Sequence, residues 1–468
     1  MKRARSTLLL LLVAAGLGAY IYFVENKRPP ASETENKKAK VFTVEPDKIQ
    51  ELQVTSSKGE KTTLKKDNGA WKIVEPMASD ADSTEVTSIA TTLASLENQR
   101  TVEENPADTA PFGLSPAAME VAFKAEGMSD FKRLFLGKKN PTGSDLYAKT
   151  SDGSRVFLVS SYLDTTFDHG TFDLRDKSVL KFERNNVTAM DIEVQGQPAV
   201  QLAKSNTDWK MKGPWESRGD YGPIEGLLGR IASGQMKTLV TETATDLKTY
   251  GLDKPAVKVT IGAGSAQASL AIGGGAEGDT FYAKDGSRGL VFTVDKSFVD
   301  ELKKTPDTYR PKDLFEFRTF SGDRVEVVRS GVKTVFERLK GQGENAAETW
   351  QQTDPKLDVP EAKITDFLSK ISTIRADSFV DAVPAGAKEI ATINTRFGTE
   401  KKEEKATFYQ HDADIFATRP EDRGAMKLTG TTFGEAMAAM DQMKPEPKTD
   451  EPKADATKPD EKKPDEKK

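Results

Sequence analysis

The chain has 468 residues, too many for one hydrophobic core and suited to two to four domains. It is 30% charged with a net charge of −5, so no global basic field exists to gather nucleic acid. Cysteine is absent, which excludes disulfides, thiolate metal sites, a thiol nucleophile and an acylated lipoprotein cysteine, while two histidines leave few candidates for a general base or metal ligand.

Lys2, Arg3 and Arg5 precede an uncharged run from Leu8 to Val24. Such a helix is roughly 26 Å long, enough for a bilayer core when its flanks snorkel. A cleaved signal peptide competes, because Ala14–Ala19 offers small residues for a cleavage site. The apolar run continues past that point through Ile21 to Val24, with Tyr20 and Tyr22 suited to the interface. An uncleaved anchor is therefore the preferred reading, with residues 1–24 as cytoplasmic stub and transmembrane helix. Basic residues on the N-terminal flank hold that end in the cytoplasm and place the bulk of the chain outside the inner membrane, in the periplasm. Residues 25–40 are polar and contain proline, and read as a flexible linker.

From residue 41 the chain repeats itself. Trp71, Trp209 and Trp350 stand 138 and 141 residues apart. Unit one, residues 41–178, opens with alternating strand patterns at VFTV, IQELQV, TTLKK and WKIV. A helix follows, with Val86, Ile89, Ala90 and Leu93 on one face and Asp82 and Glu85 spaced as a capping box. Unit two, residues 179–315, repeats this with Asp220 before Ile224, Leu227, Leu228 and Ile231. Unit three, residues 316–443, gives Asp358 with Glu361, then Ile364, Phe367, Leu368 and Ile371.

The second halves align too. Phe112-Gly113-Leu114 and Tyr250-Gly251-Leu252 lie 138 apart, followed by MEVAF and VKVTI, LFLG and LAIG, LYAKT and FYAKD. Arg175 and Arg310 recur 135 apart. Unit three keeps EIATINTRF, ATFYQ and IFATR but has no aromatic-Gly-Leu turn, as terminal repeats are commonly atypical. Each unit reads as six or seven short strands with one or two helices. Hairpin-length connections then make the fold α+β, tandem repeats of a mainly antiparallel β-sheet with packed helices. Residues 444–468 balance eight lysines against eight acids with five prolines, the composition of a disordered tether.

Few residues invite chemistry. Asp82, Asp220 and Asp358 are read as helix caps in preference to a carboxylate pair or cation ligands, because each stands just before an apolar-periodic helix. The three tryptophans are read as the large strand residue packed on a helix and not as sugar platforms. Gly113 and Gly251 are read as turn glycines needing positive φ. Gly273-Gly274-Gly275 is read as a hairpin turn, since no Gly-Lys-Ser/Thr follows to cradle phosphate. His169 and His411 lack HxH or HxxxH company and are read as ordinary surface or loop residues. Arg175 and Arg310 suit a salt bridge between sub-elements better than a shared anionic contact. No metal, cofactor or nucleophile elbow is expected.

The segments WKIVEPMASDADSTEVTSIATTLASLE, FGLSPAAMEVAF and LYAKTSDGSRVFLVSSYL, echoed by YGLDKPAVKVTI and FYAKDGSRGLVFTVDKSFVDEL, resemble the bacterial family catalogued as domain of unknown function 4340. The resemblance covers most of residues 41–320, with a weaker copy to about 440. It implies a single N-terminal membrane helix, repeated extracytoplasmic domains, and an accessory role beside an ABC-type exporter related to gliding-motility transporters. It implies no catalytic residues. The expectation is a non-enzymatic, membrane-anchored periplasmic scaffold or binding protein whose partners are ABC-type transporter membrane subunits. A stand-alone binder of envelope polysaccharide or lipid, using Trp71 or Tyr250, is the alternative; a hydrolase with a carboxylate pair at Asp82 ranks third.

Overall fold

The computed structural model describes residues 39–340 and 347–443. The apolar run at 8–24, most of the linker and the tail at 444–468 lie outside them. Among the described residues no helix is long and apolar enough to cross a membrane.

Among the described residues three nine-stranded antiparallel sheets follow one another. The first contains β1 (Ile49–Thr55), β2 (Lys61–Asp67), β3 (Ala70–Glu75), β4 (Ser79–Asp80), β5 (Arg100–Glu103), β6 (Met119–Ala125), β7 (Lys132–Lys139), β8 (Asp145–Thr150) and β9 (Val156–Ser160). Helix α1 (Ser83–Ser95) joins β4 to β5, and α2 (Leu163–Phe167) follows β9. The second contains β10 (Ala189–Val194), β11 (Val200–Ser205), β12 (Asp208–Gly213), β13 (Ser217–Arg218), β14 (Thr238–Thr241), β15 (Val257–Ala263), β16 (Ala266–Ala276), β17 (Thr280–Asp285) and β18 (Val291–Asp295). Its helices are α3 (Tyr221–Ala232) and α4 (Lys296–Leu302). The third contains β19 (Gly322–Arg329), β20 (Val332–Lys340), β21 (Glu348–Asp354), β22 (Lys356–Leu357), β23 (Ala376–Val380), β24 (Lys388–Phe397), β25 (Lys402–His411), β26 (Asp414–Thr418) and β27 (Ala425–Leu428). Helices α5 (Glu361–Ser372) and α6 (Thr432–Asp441) complete it.

The strand order is β4-β3-β2-β1-β6-β7-β8-β9-β5 in the first sheet, and the other two repeat it without change. This is the tandem α+β architecture, with nine strands per repeat where six or seven were expected. The extra ones include β4, β13 and β22, two residues each and too short for an alternating pattern to register. The two edge strands of each sheet flank the main helix in sequence, so the helix spans from one edge to the other over the sheet's inner face.

That face holds the core. In repeat one Val86, Ile89, Ala90 and Leu93 of α1 pack with Leu52, Leu64, Trp71, Val121, Phe123 and Leu134, all buried. At ~1.5–3 kcal/mol per buried large side chain, this face outweighs any helix propensity. Trp71, Trp209 and Trp350 sit in β3, β12 and β21 at 3%, 2% and 4% exposure, the large strand residues they were read to be.

Several devices recur in register. A proline five residues after each tryptophan (Pro76, Pro214, Pro355) follows a cis peptide bond. Opposite it, β2, β11 and β20 each carry a register shift, at Thr63/Leu64, Gln201/Leu202 and Val335/Phe336. A lead-in segment pairs with the turn after each main helix: Val41 N donates to Leu96 O, Val179 N to Gly234 O and Leu314 N to Ile374 O. The tip of the first hairpin is tied to the end of the second helix through Ser57–Asp168, Gln197–Lys303 and Arg329–Asp441.

An exit segment then covers the N-terminus of the main helix. Asp82 N donates to Leu174 O at 2.9 Å, and Asp220 N to Tyr309 O at 2.8 Å. In repeat three the corresponding residue is Pro360, which has no N–H to offer. There the longer α6 reaches back instead, with Lys363 Nζ donating to Gln442 O and Met443 buried.

The chain forms two compact units. One ends at Ser178 and takes in Gln235–Leu239; the other comprises Val179–Gly234 and the chain from Val240 onward. Repeats two and three thus share one unit. The segment Gln235–Leu239 belongs with the first because Met236 N donates to Lys177 O and Ser178 bridges Gln235.

Candidate functional site

Asp82 caps α1 by accepting from Thr84 N at 3.0 Å and Glu85 N at 3.2 Å, and Asp220 caps α3 by accepting from Gly222 N at 3.1 Å. The capping box is half-formed: Asp82 N–H is taken by Leu174 O, and Glu85 lies 4.0 Å from His169 Nε2. Asp358 does not cap. Repeat three is one residue shorter between its tryptophan and its helix, so the cap position falls on Pro360 and Asp358 stands outside. Glu361 takes a different bond, accepting from Trp350 N at 3.2 Å.

Gly113 and Gly251 end short 3-10 turns with φ of 69° and 65°. Gly273-Gly274-Gly275 is not a hairpin turn but a bulge inside β16, between Ile272 and Gly275, and β7 has the same bulge after Leu136. Turn and bulge interlock: a Cβ on Gly137 would fall 2.2 Å from Phe112 O, and one on Gly273 2.1 Å from Tyr250 O. The aromatic rings complete the contact, Phe112 on Tyr147 at 5.0 Å and Tyr250 on Tyr282 at 5.1 Å. Repeat three loses both together, since β25 pairs with β26 without a shift.

His169 sits in the loop after α2, and His411 ends β25. Among the described residues no group of three His, Cys, Asp or Glu side chains is arranged to hold a metal.

A buried set of charged groups lies where repeat two meets repeat three. Glu404, 1% exposed at its side chain, accepts from Glu316 N at 2.9 Å and Phe317 N at 3.2 Å through Oε2. Its Oε1 accepts from Arg419 Nη1 at 3.0 Å and Arg218 Nη1 at 3.5 Å. Arg218 arrives from edge strand β13 and also donates to Asp313 O and Leu314 O; Arg419 donates to Leu314 O as well. Burial pushes the Glu316 carboxyl up, but Lys402 and Arg218 beside it bring it below the ordinary glutamate value. Outside this knot a cleft of about 410 Å³ is walled by Arg324, Glu326, Thr395, Arg396, Glu404 and Arg419. Its arginines are occupied: Arg324 by Glu326 and Glu337, Arg396 by Asp323 at 2.7 Å, and Arg419 by Glu404. Nothing in the sequence pattern marks Glu404, because a buried acid in β25 reads as one more polar residue of an alternating strand.

Another cleft, of about 400 Å³, is lined by Trp215, Asp307, Arg310, Phe379, Asp381 and Arg423 among others. Arg310 is buried. Its salt bridge is local, to Asp307 at 3.1 Å, not between sub-elements as expected. It crosses to repeat three by donating to Arg423 O at 2.9 Å and by lying 3.9 Å from the Phe379 ring centroid. Trp215, the fourth tryptophan, follows the cis Pro214 and has no counterpart in the repeat pattern.

The sequence profile of the family described as domain of unknown function (DUF4340) matches residues 71–222 and 209–394. No curated protein matches the chain. Two crystal structures of the DNA polymerase sliding clamp from Pseudomonas aeruginosa align loosely. One, with ligand, is 9% identical over 83% of this chain and 93% of that one, at a TM-score of 0.15. The other is 8% identical over 82% and 91%, also at 0.15. Scores this low carry no argument about fold or function.

Proposed function

The chain belongs to the DUF4340 family, and on that premise we propose that it is a non-enzymatic scaffold or binding protein, tethered to the inner membrane through residues 8–24 with its repeats in the periplasm, accessory to an ABC-type export system. One observation carries the reading. At Glu404, Arg218 and Arg419 both carboxylate oxygens and the terminal guanidinium nitrogens are engaged with one another and with the backbone of the joint between repeats, and only the Nε atoms of the two arginines lack a hydrogen-bond acceptor. Groups committed in this way brace a surface; they do not shuttle protons. The uncharged run behind a basic flank supports the tether and its orientation.

The test is recovery of the full-length chain from membranes in mild detergent after in vivo cross-linking. The expected result is co-purification of transporter membrane subunits. Release of the chain into the soluble periplasmic fraction without any membrane partner would sink the proposal. The glycan-binding alternative loses Trp71 as a platform, because its ring is buried; Tyr250 is half-exposed against Tyr282.

A further inference from the structure

We propose that the cleft beside Trp215 is a binding site for a small oxyanion group, a carboxylate or a phosphate, read by Arg423. This does not depend on the scaffold reading. Four groups alternate around the cleft as ring, cation, ring, cation. Arg310 lies 3.9 Å from the Phe379 centroid and 5.8 Å from that of Trp215, and Arg423 stands 5.3 Å from the Trp215 centroid.

The two guanidinium groups are not equivalent. Arg310 is 5% exposed and spent, on Asp307 and on the Arg423 carbonyl. Arg423 is exposed, and its guanidinium forms no ion pair among the described residues. A guanidinium held against an indole is pre-oriented, so little side-chain freedom is lost when its fork engages two oxygens. The Trp215 Nε1 is buried without any acceptor, an orphan donor in the same wall. An oxyanion beside Arg423 supplies an acceptor to a guanidinium that has no carboxylate partner among the described residues.

The backbone keeps the wall in place. Gly424, at φ +78°, brings its Cα so near Val380 that a Cβ would sit 2.3 Å from the Val380 oxygen. Any side chain there would push β23 away from β27 and widen the cleft. Asp381 opposes the anion, since it also lines the cleft and carries a like charge. That sets the expected affinity at a modest ~1 mM.

Tryptophan emission reports the site, because Trp71, Trp209 and Trp350 are buried and Trp215 is the one a ligand can approach. The full chain is titrated separately with phosphate and with succinate at constant ionic strength maintained by chloride. The expected result is a saturable change for at least one anion, weakened at least tenfold in Arg423→Gln and strengthened several-fold in Asp381→Asn. Arg338→Gln, on β20, leaves it unchanged. Response to phosphate alone assigns a phosphate-bearing ligand, and response to succinate alone a carboxylate. No saturable change up to tens of millimolar, or an equal change in Arg423→Gln with an unaltered melting temperature, overturns the proposal. Calorimetry on Trp215→Phe separates binding from the optical signal, and heat of binding is expected to persist in weakened form.

Discussion

Aspartates at matching places in the repeats carry unequal weight. Asp82 serves two N–H groups of α1, whereas Asp358 serves none on α5. Asp82→Ala is expected to cost about 1 kcal/mol and Asp358→Ala nothing measurable, by urea denaturation followed by circular dichroism. Equal costs would mean that the caps do not set the difference. Glu225 offers a pH test at the same scale. Burial pushes its carboxyl up, but Trp209 Nε1 at 2.9 Å, Lys204 at 3.1 Å and Arg184 hold it below the ordinary glutamate value. A depressed folded pKa contributes stability above the unfolded value of about 4.3, lost as pH falls through the folded one. The melting-temperature gap between wild type and Glu225→Gln should therefore be full at pH 7 and close as pH drops below 4.3. A gap that stays constant in acid would show that the charge is not what stabilises.

Elements explain what the sequence disclosed and what it hid. The helical faces at Val86–Leu93 and Ile224–Ile231 were legible because burial imposes a period that composition shows directly. The aromatic-Gly-Leu signature and the LFLG and LAIG signature were legible as separate repeats, but not as two halves of one contact between turn and bulge. Nothing local says that Gly137 faces the Phe112 carbonyl. The Trp215 cleft was illegible for a related reason: its walls come from residues up to 209 positions apart, 215 and 424, which no spacing rule connects. Two glycines test the element scale in opposite directions. Gly273→Ala drives a Cβ into the Tyr250 carbonyl and should cost about 1–3 kcal/mol. Gly226→Ala, exposed in α3 with open space at its Cβ, should stabilise by ~0.5–1 kcal/mol. Thermal unfolding of the two variants decides, and the same sign for both would refute the argument.

At the scale of the whole molecule, the joint between repeats two and three rests on Glu404. Removing its charge leaves Arg419 buried with one partner fewer, so Glu404→Gln should cost ~3–5 kcal/mol. If it does, unfolding of that compact unit should stay a single transition in wild type and split in the variant, as read by calorimetry. A small loss without a split would mean that apolar packing alone joins the repeats.

The lead-in and exit segments have a consequence for how such chains change length. The exit bond at Leu174 and the lead-in bond at Lys177 are three residues apart, and those at Tyr309 and Lys312 share the same interval. Residues 177–311 therefore form a cassette whose two ends carry the same backbone bonds. Cutting it out splices Asp176 onto Lys312 and keeps those backbone partners, but it puts Asp80 of β4 where Arg218 of β13 met Glu404. Such a shortened protein should be weakened at the new joint and regain stability with Asp80→Arg, whereas a cut displaced by a single residue should lose the backbone bonds as well. Gene duplication and loss would find a seam whose backbone bonds carry over, and the proline at the head of α5 leaves its own module without the N–H that an exit segment meets in the other two.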